Sequence, residues 1–228
     1  MITNGKKYIC LLALSTLIYA CSGDKNTAQT GTDDPKENTG AEGFDLSSLT
    51  MKEKIGVVLK ANGLTLEKGK SSDLKAYGYE SFTSTDPKLL KYAGADLSGS
   101  NKDSVNKTII YYSLKDSVIG MVEVNLFTPE KISLLNSGLE KTLGKAPYPD
   151  DAYPAKPFSK NIQFRNYVWA DTVLQKSTFM MHMKNDTEGE TGRLMFLRYP
   201  DMLQLAGVRG YSVSIGSEIE EAINNTKK

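Results

Sequence analysis

The chain has 228 residues, with 28 basic and 27 acidic side chains, one histidine and two cysteines. A near-neutral balance without a Lys/Arg stripe argues against a nucleic-acid partner, whose phosphates demand clustered cations. The length suits one substantial core or two small lobes, on a prior of roughly 100–200 residues per domain.

At the N-terminus Lys6 and Lys7 precede the apolar run Tyr8-Ile9-Cys10-Leu11-Leu12-Ala13-Leu14-Ser15-Thr16-Leu17-Ile18. The run is shorter than the roughly 20 residues a membrane-spanning helix needs, and it fits the apolar region of a secretory signal. Ile18-Tyr19-Ala20-Cys21 then resembles the lipobox of bacterial lipoproteins: an aliphatic residue, a loosely chosen one, a small one, then cysteine. Tyr19 is bulkier than that family's usual choice. The resemblance covers the first 21 residues. It implies a diacylglyceryl group on the Cys21 sulfur, cleavage before Cys21, and acylation (palmitate among the acids) of the new amine. Several acyl chains anchor stably where one does not. Cys10 would leave with the signal, so the mature chain would carry one thiol, at its first position, and no internal disulfide.

Residues 22 to 43 carry almost nothing apolar to bury, and the segment from Asp24 to Gly40 has no aliphatic residue larger than Ala28. Such a composition cannot offset the entropy of ordering. As a flexible coil it would span on the order of 25 Å. Ser22 after the cysteine resembles the outer-membrane sorting rule of enterobacterial lipoproteins. Ser22-Gly23-Asp24-Lys25 is a poor version of the acidic surface-export signal of Bacteroidota lipoproteins. The expected organisation is residues 1–20 as signal peptide, 21–43 as lipidated cysteine and linker, and 44–228 as a single α+β domain; two small lobes dividing near 100–107 are the alternative. From Phe44 onward the charges are 24 basic against 22 acidic.

Within the body, Thr50-Met51-Lys52-Glu53 reads as a capping box, followed by Ile55, Val58 and Leu59 on one helical face and by Gly63 as a left-handed stop. Lys75 to Thr83 reads as a weak strand, and Pro87 to Ala93 as a short helix after Asp86. Thr108 to Leu114 and Val118 to Phe127 flank the turn Lys115-Asp116-Ser117. Thr128-Pro129 opens a second helix, with Ile132, Leu135, Leu139 and Leu143 at helical spacing and Gly144 and Pro147 as stops. Asn161 to Trp169, Leu174 to Met183 and Arg193 to Tyr199 read as three more strands. Short turns between consecutive strands require antiparallel pairing. The predicted class is therefore α+β: an antiparallel sheet of about five or six strands with two main helices packed on one face. Phe82 to Gly94 and Phe127 to Gly144 share a strand–Pro–helix–Gly order, which reads as common helix-start chemistry rather than as a duplication.

No Gly-rich phosphate loop, Gly-x-Ser-x-Gly elbow or His-Glu-x-x-His segment is present, so no catalytic residue, metal or cofactor is assigned. His182 is the single histidine and reads as structural or surface. Asp186, Glu188 and Glu190 alternate in a turn, but their spacing is not that of a calcium loop. Residues 146 to 158 form a long Pro-rich, aromatic stretch of a kind that often carries function. Tyr148, Tyr153 and Phe158 from it, with Arg165, Tyr167 and Trp169 from the following strand, are the candidate binding residues. The competing reading is that the stretch packs over the sheet edge and its rings complete the core. Arg165, Tyr167 and Trp169 should share a face opposite Ile162, Phe164 and Val168. Asp103-Ser104-Val105, Asp116-Ser117-Val118 and Asp171-Thr172-Val173 resemble the O-glycosylation motif of Bacteroidota envelope proteins, although Asp-Ser/Thr is also ordinary turn chemistry.

Taken together, these features point to a lipoprotein on the outer membrane, facing the periplasm or the cell surface. Its expected role is a non-enzymatic binding or interaction module of the cell envelope with a glycan, peptide or envelope-protein partner. Two alternatives follow. One is an envelope-assembly partner, since the second helix, Leu143-Gly144-Lys145-Ala146-Pro147 and the Trp169 strand loosely resemble small outer-membrane assembly lipoproteins. The other is a carboxylate-dependent hydrolase, which would need two facing carboxyl groups.

Overall fold

A computed structural model describes residues 43–66, 73–150, 162–185, 189–208 and 215–226. The chain divides into Met1–Asn38 and Thr39–Lys228, and all described residues belong to the second unit. Cys21, Tyr153, Phe158, Asp186 and Glu188 lie outside the described residues.

The elements run in the order α1 (Ile55–Ala61), β1 (Tyr79–Ser84), β2 (Lys91–Tyr92), β3 (Ala95–Asp96), β4 (Lys107–Ser113), β5 (Ile119–Leu126), α2 (Pro129–Leu143), β6 (Tyr148–Asp150), β7 (Ile162–Asp171), β8 (Lys176–Asn185), β9 (Gly189–Arg198), α3 (Leu203–Val208) and α4 (Ile215–Thr226). Seven strands form one antiparallel sheet in the order β1-β4-β5-β9-β8-β7-β6; β2 and β3 make a separate hairpin. The fold is α+β, as the hairpin turns and helical stripes predict. The seventh strand is β6, three residues drawn from the Pro-rich stretch and paired to β7 at the sheet edge. Proline lacks a backbone donor and is tolerated there, as at Pro149.

Alternation along the strands sends side chains into two cores. One contains Ile110, Val122, Val124, Leu126, Trp169, Met180, Leu194 and Phe196, under Ile55, Val58 and Leu59 of α1 and Ile132, Leu135 and Leu139 of α2. The two predicted helices thus share a face. The other core holds Ile109, Tyr111, Met121, Val168, Phe179, Met195 and Leu197, with Met202 and Ala206 from the α3 region and Ile219 and Ala222 from α4. This second helical layer, beyond the two expected helices, is marked in the sequence by Ile219, Ala222 and Ile223 at helical spacing. Because both faces are covered, every residue of β5 is buried.

Several local signals end up shifted. Glu53 does reach back, its Oε1 accepting from the Thr50 N–H and hydroxyl, both at 2.8 Å. The helix nevertheless begins at Ile55, with Lys54 at its cap. The Glu53 carbonyl accepts from Ile119 N–H at 2.9 Å, and Ile55 N–H donates to the Ser117 carbonyl at 3.0 Å. That pairing with the β4–β5 hairpin holds the chain extended where a local cap would have curled it. At the other end Gly63 adopts φ +69, and the Gly63 and Leu64 N–H groups close onto Lys60 and Leu59 carbonyls, a Schellman stop as predicted.

The predicted helix at 87–93 is a 3₁₀ turn, Pro87–Leu89, capped by Asp86. It gives way to the β2–β3 hairpin around Ala93 and Gly94, both at positive φ. The weak strand predicted over 75–83 starts later, because Asp73–Tyr77 is 3₁₀. Only one half of the apparent echo is an α-helix, so the two segments are not structural repeats. Thr128 caps α2 by position, but its hydroxyl accepts from Asn106 Nδ2 at 3.1 Å rather than capping the helix.

The chain entering the domain is clipped down at two points. The Asp45 carboxylate accepts from the N–H groups of Ser47, Ala93 and Gly94 and from the Ser47 hydroxyl, at 2.6–2.9 Å. Lys176 Nζ donates to the Leu49 carbonyl at 2.7 Å.

Candidate binding site

Of the nominated residues, β7 carries three. Trp169 and Tyr167 pack into the α1/α2 core while Val168 packs into the opposite one, so the predicted facing holds for these three residues. Trp169 is 8% exposed, and its indole N–H donates to the Gly144 carbonyl at 3.0 Å. It is a core residue rather than an open platform. Tyr167 is half-buried against it, with ring centroids 6.3 Å apart. Arg165 is exposed and lies directly across from His182 in the β7–β8 register. Tyr148 is the first residue of β6. Ala146, which precedes it, is buried in the same core as Trp169. The start of the Pro-rich stretch therefore packs over the sheet edge.

His182 Nε2 sits 3.5 Å from Glu190 Oε2, and Lys184 Nζ sits 3.2 Å from Glu190 Oε1. The Lys184–Glu190 contact is a cross-strand surface pair, of a kind worth about 0–1 kcal/mol, and His182 Nε2 is buried beside the same carboxylate. Among the described residues no group of three or more His, Cys, Asp or Glu is placed to hold a metal ion. The Asp-Ser/Thr segments sit in turns, and the Asp116 and Asp171 carboxylates accept from the N–H two residues on, at 3.1 and 2.9 Å.

Two features escaped the sequence reading. Glu123, in the middle of β5, is 3% exposed. It accepts from Tyr111 Oη at 3.3 Å and Asn125 Nδ2 at 2.8 Å, with Arg193 Nε 3.6 Å away. A buried carboxylate requires such partners. The signal was a lone charge between Val122 and Val124.

The second is a half-open cavity of about 210 Å³ at the turn end of β7 and β8, on the α4 face. It is lined by Ala170, Asp171, Thr172, Gln175, Ser177, Tyr199, Pro200 and Ile223. Ala170 and Ser177 are register partners, so two small side chains lie directly opposite each other in the sheet. Leu197 follows Ser177 in the same row, and the next row on that face carries Val168 and Phe179. A close-packed layer is thus interrupted where two short side chains coincide. The Tyr199 hydroxyl donates to Glu220 Oε1 of α4 at 3.4 Å. Burial and the adjacent Glu220 raise the Tyr199 phenol above its usual range, so it stays neutral. Asp171 Oδ1 accepts from Val173 and Leu174 N–H and shapes the rim. Sequence cannot reveal this site, because Ala170 and Ser177 meet only through the hairpin register.

No family model, no curated protein and no solved structure matches the chain. Among the described residues no helix is long and apolar enough to cross a membrane.

Proposed function

We propose that this protein is a lipid-tethered, non-enzymatic binding module of a bacterial cell envelope, held to the outer membrane through Cys21. One observation carries the reading: Lys6-Lys7, the apolar run and Ile18-Tyr19-Ala20-Cys21 occur in the order of a lipoprotein signal, ahead of the unit that begins at Thr39. The anchor would fix where the domain acts, and binding would fall to the domain's surface. The cavity beside α4 supports a binding role, since polar groups converging on an apolar hollow are the usual form of a ligand site. Glu123 fits a structural role better than a hydrolytic one, because Tyr111 and Asn125 donate to its carboxylate and Arg193 balances its charge.

The test of the anchor is Cys21→Ser, together with globomycin treatment of the wild type. Both should block processing and move the protein out of the membrane fraction, and acyl mass should be lost from the purified chain. Unchanged mass and membrane retention in Cys21→Ser would refute the anchor.

A further inference from the structure

We propose that the cavity between the β7–β8 turn and α4 is a pocket for a single aromatic ring bearing a hydroxyl group. The proposal rests on the binding-module reading and adds a ligand class to it. Size comes first. An apolar cavity of about 150 Å³ holds benzene, so about 210 Å³ admits a six-membered ring with one substituent. It falls short of the roughly 300–1,000 Å³ typical of larger ligands. The walls come next. Tyr199, Pro200 and Ile223 give flat and aliphatic surfaces, and Ala170 gives the floor without filling it. Tyrosine faces take rings in offset or edge-on packing.

Ser177 supplies the polar requirement. It is 2% exposed and lines the cavity, and its hydroxyl makes no hydrogen bond to another side chain or carbonyl among the described residues. The hollow is open to water, which would bond this hydroxyl in the free protein, and a ligand hydroxyl would take the place of that water. Beside the rim, Val173 is 89% exposed at the tip of the turn, which gives an apolar shoulder to whatever carries the ring. The ring could be a free phenol or the tyrosine side chain of a partner polypeptide; the chemistry recognised is the same.

The test uses the full chain with ¹³C-labelled Ala, Thr and Ile methyl groups, titrated in parallel with p-cresol, toluene and N-acetyl-tyrosinamide. Saturable shifts at Ala170, Thr172 and Ile223 are expected with p-cresol. Ser177→Ala should weaken p-cresol roughly three- to tenfold and leave toluene unchanged. Ala170→Leu, which fills the floor, should abolish binding of both while the chain still melts cooperatively. Tighter binding of N-acetyl-tyrosinamide than of p-cresol assigns the ring to a polypeptide, and the reverse assigns it to a small molecule; either supports the pocket. Absence of saturation up to the solubility limit of p-cresol, shifts centred elsewhere, or full binding by Ala170→Leu would overturn the proposal. Equal loss of p-cresol and toluene in Ser177→Ala would remove the hydroxyl from the recognition. None of these failures touches the Cys21 anchor, which stands or falls on its own variant.

Discussion

Lys176 and Leu49 are 127 residues apart in sequence, yet the Lys176 ammonium donates to the Leu49 carbonyl at 2.7 Å, and the same Nζ lies 5.7 Å from the Phe196 ring centroid. A buried lysine on the sheet thereby holds the segment that enters the domain. Lys176→Met should leave that carbonyl unpaired and cost about 1–3 kcal/mol at neutral pH. The pH dependence is more specific. Burial lowers the Lys176 pKa from 10.5, against the opposing pull of Asp171 and Glu53. Between that lowered value and 10.5 the unfolded chain binds more protons than the folded one, so this group's contribution to stability rises with pH. Denaturant melts of the wild type and Lys176→Met should diverge in favour of the wild type as pH climbs toward 10.5. Parallel curves would mean that the ammonium is not desolvated.

Asp45 acts at the acid end. Burial alone would raise its carboxyl, but hydrogen bonds from Ser47, Gly94 and Ala93 together outweigh burial and hold it below 3.8. Its contribution is therefore present above 3.8 and is lost as pH falls through the lower folded value. Asp45→Asn should cost about 1.5–3 kcal/mol at pH 7, the scale of hydrogen bonds to a charged group. It should also flatten the acid limb of stability below about pH 4. Residual acid sensitivity is expected from Asp96 and Asp116, which hydrogen bonds likewise hold low.

Trp169 separates core from surface. Trp169→Ala should remove about 3–5 kcal/mol of stability, the cost of emptying a large buried ring site. Trp169→Phe should cost less, about 1 kcal/mol of it from the lost bond to the Gly144 carbonyl. Thermal melts would check both. A Trp169→Ala variant that melts like the wild type would return this residue to the binding surface.

Two glycines in the sheet give opposite expectations for a single added methyl. A Cβ on Gly192 would lie 2.9 Å from Ile132 Cγ1 of α2, a stiff branched side chain. Gly192→Ala should cost about 1–3 kcal/mol by overpacking. A Cβ on Gly120 would meet Met202 Sδ at 2.7 Å, but that side chain can swing aside. Gly120→Ala should therefore be the milder of the two. Equal melting temperatures for the pair would argue against this difference in compliance.

Features set within a few residues of backbone are legible in the sequence. Thr128-Pro129 and Gly144 bracket α2, Gly63 stops α1, Lys115-Asp116-Ser117 turns β4 into β5, and alternation put Val168 opposite Tyr167 and Trp169. Caps, turns and side-chain period act over short distances, so they survive in one dimension. The three-dimensional fold set where α1 begins, because Glu53 and Ile55 are drawn into pairing with Ile119 and Ser117. It also decided that both faces of the sheet are covered, that Trp169 is core, and that Glu123 is a buried charge with partners. Ala170 and Ser177 are two unremarkable small residues until the register of β7 and β8 sets them side by side beneath Ile223. The cavity they leave exists because packing sums side-chain volumes across strands, and that sum is written only in three dimensions.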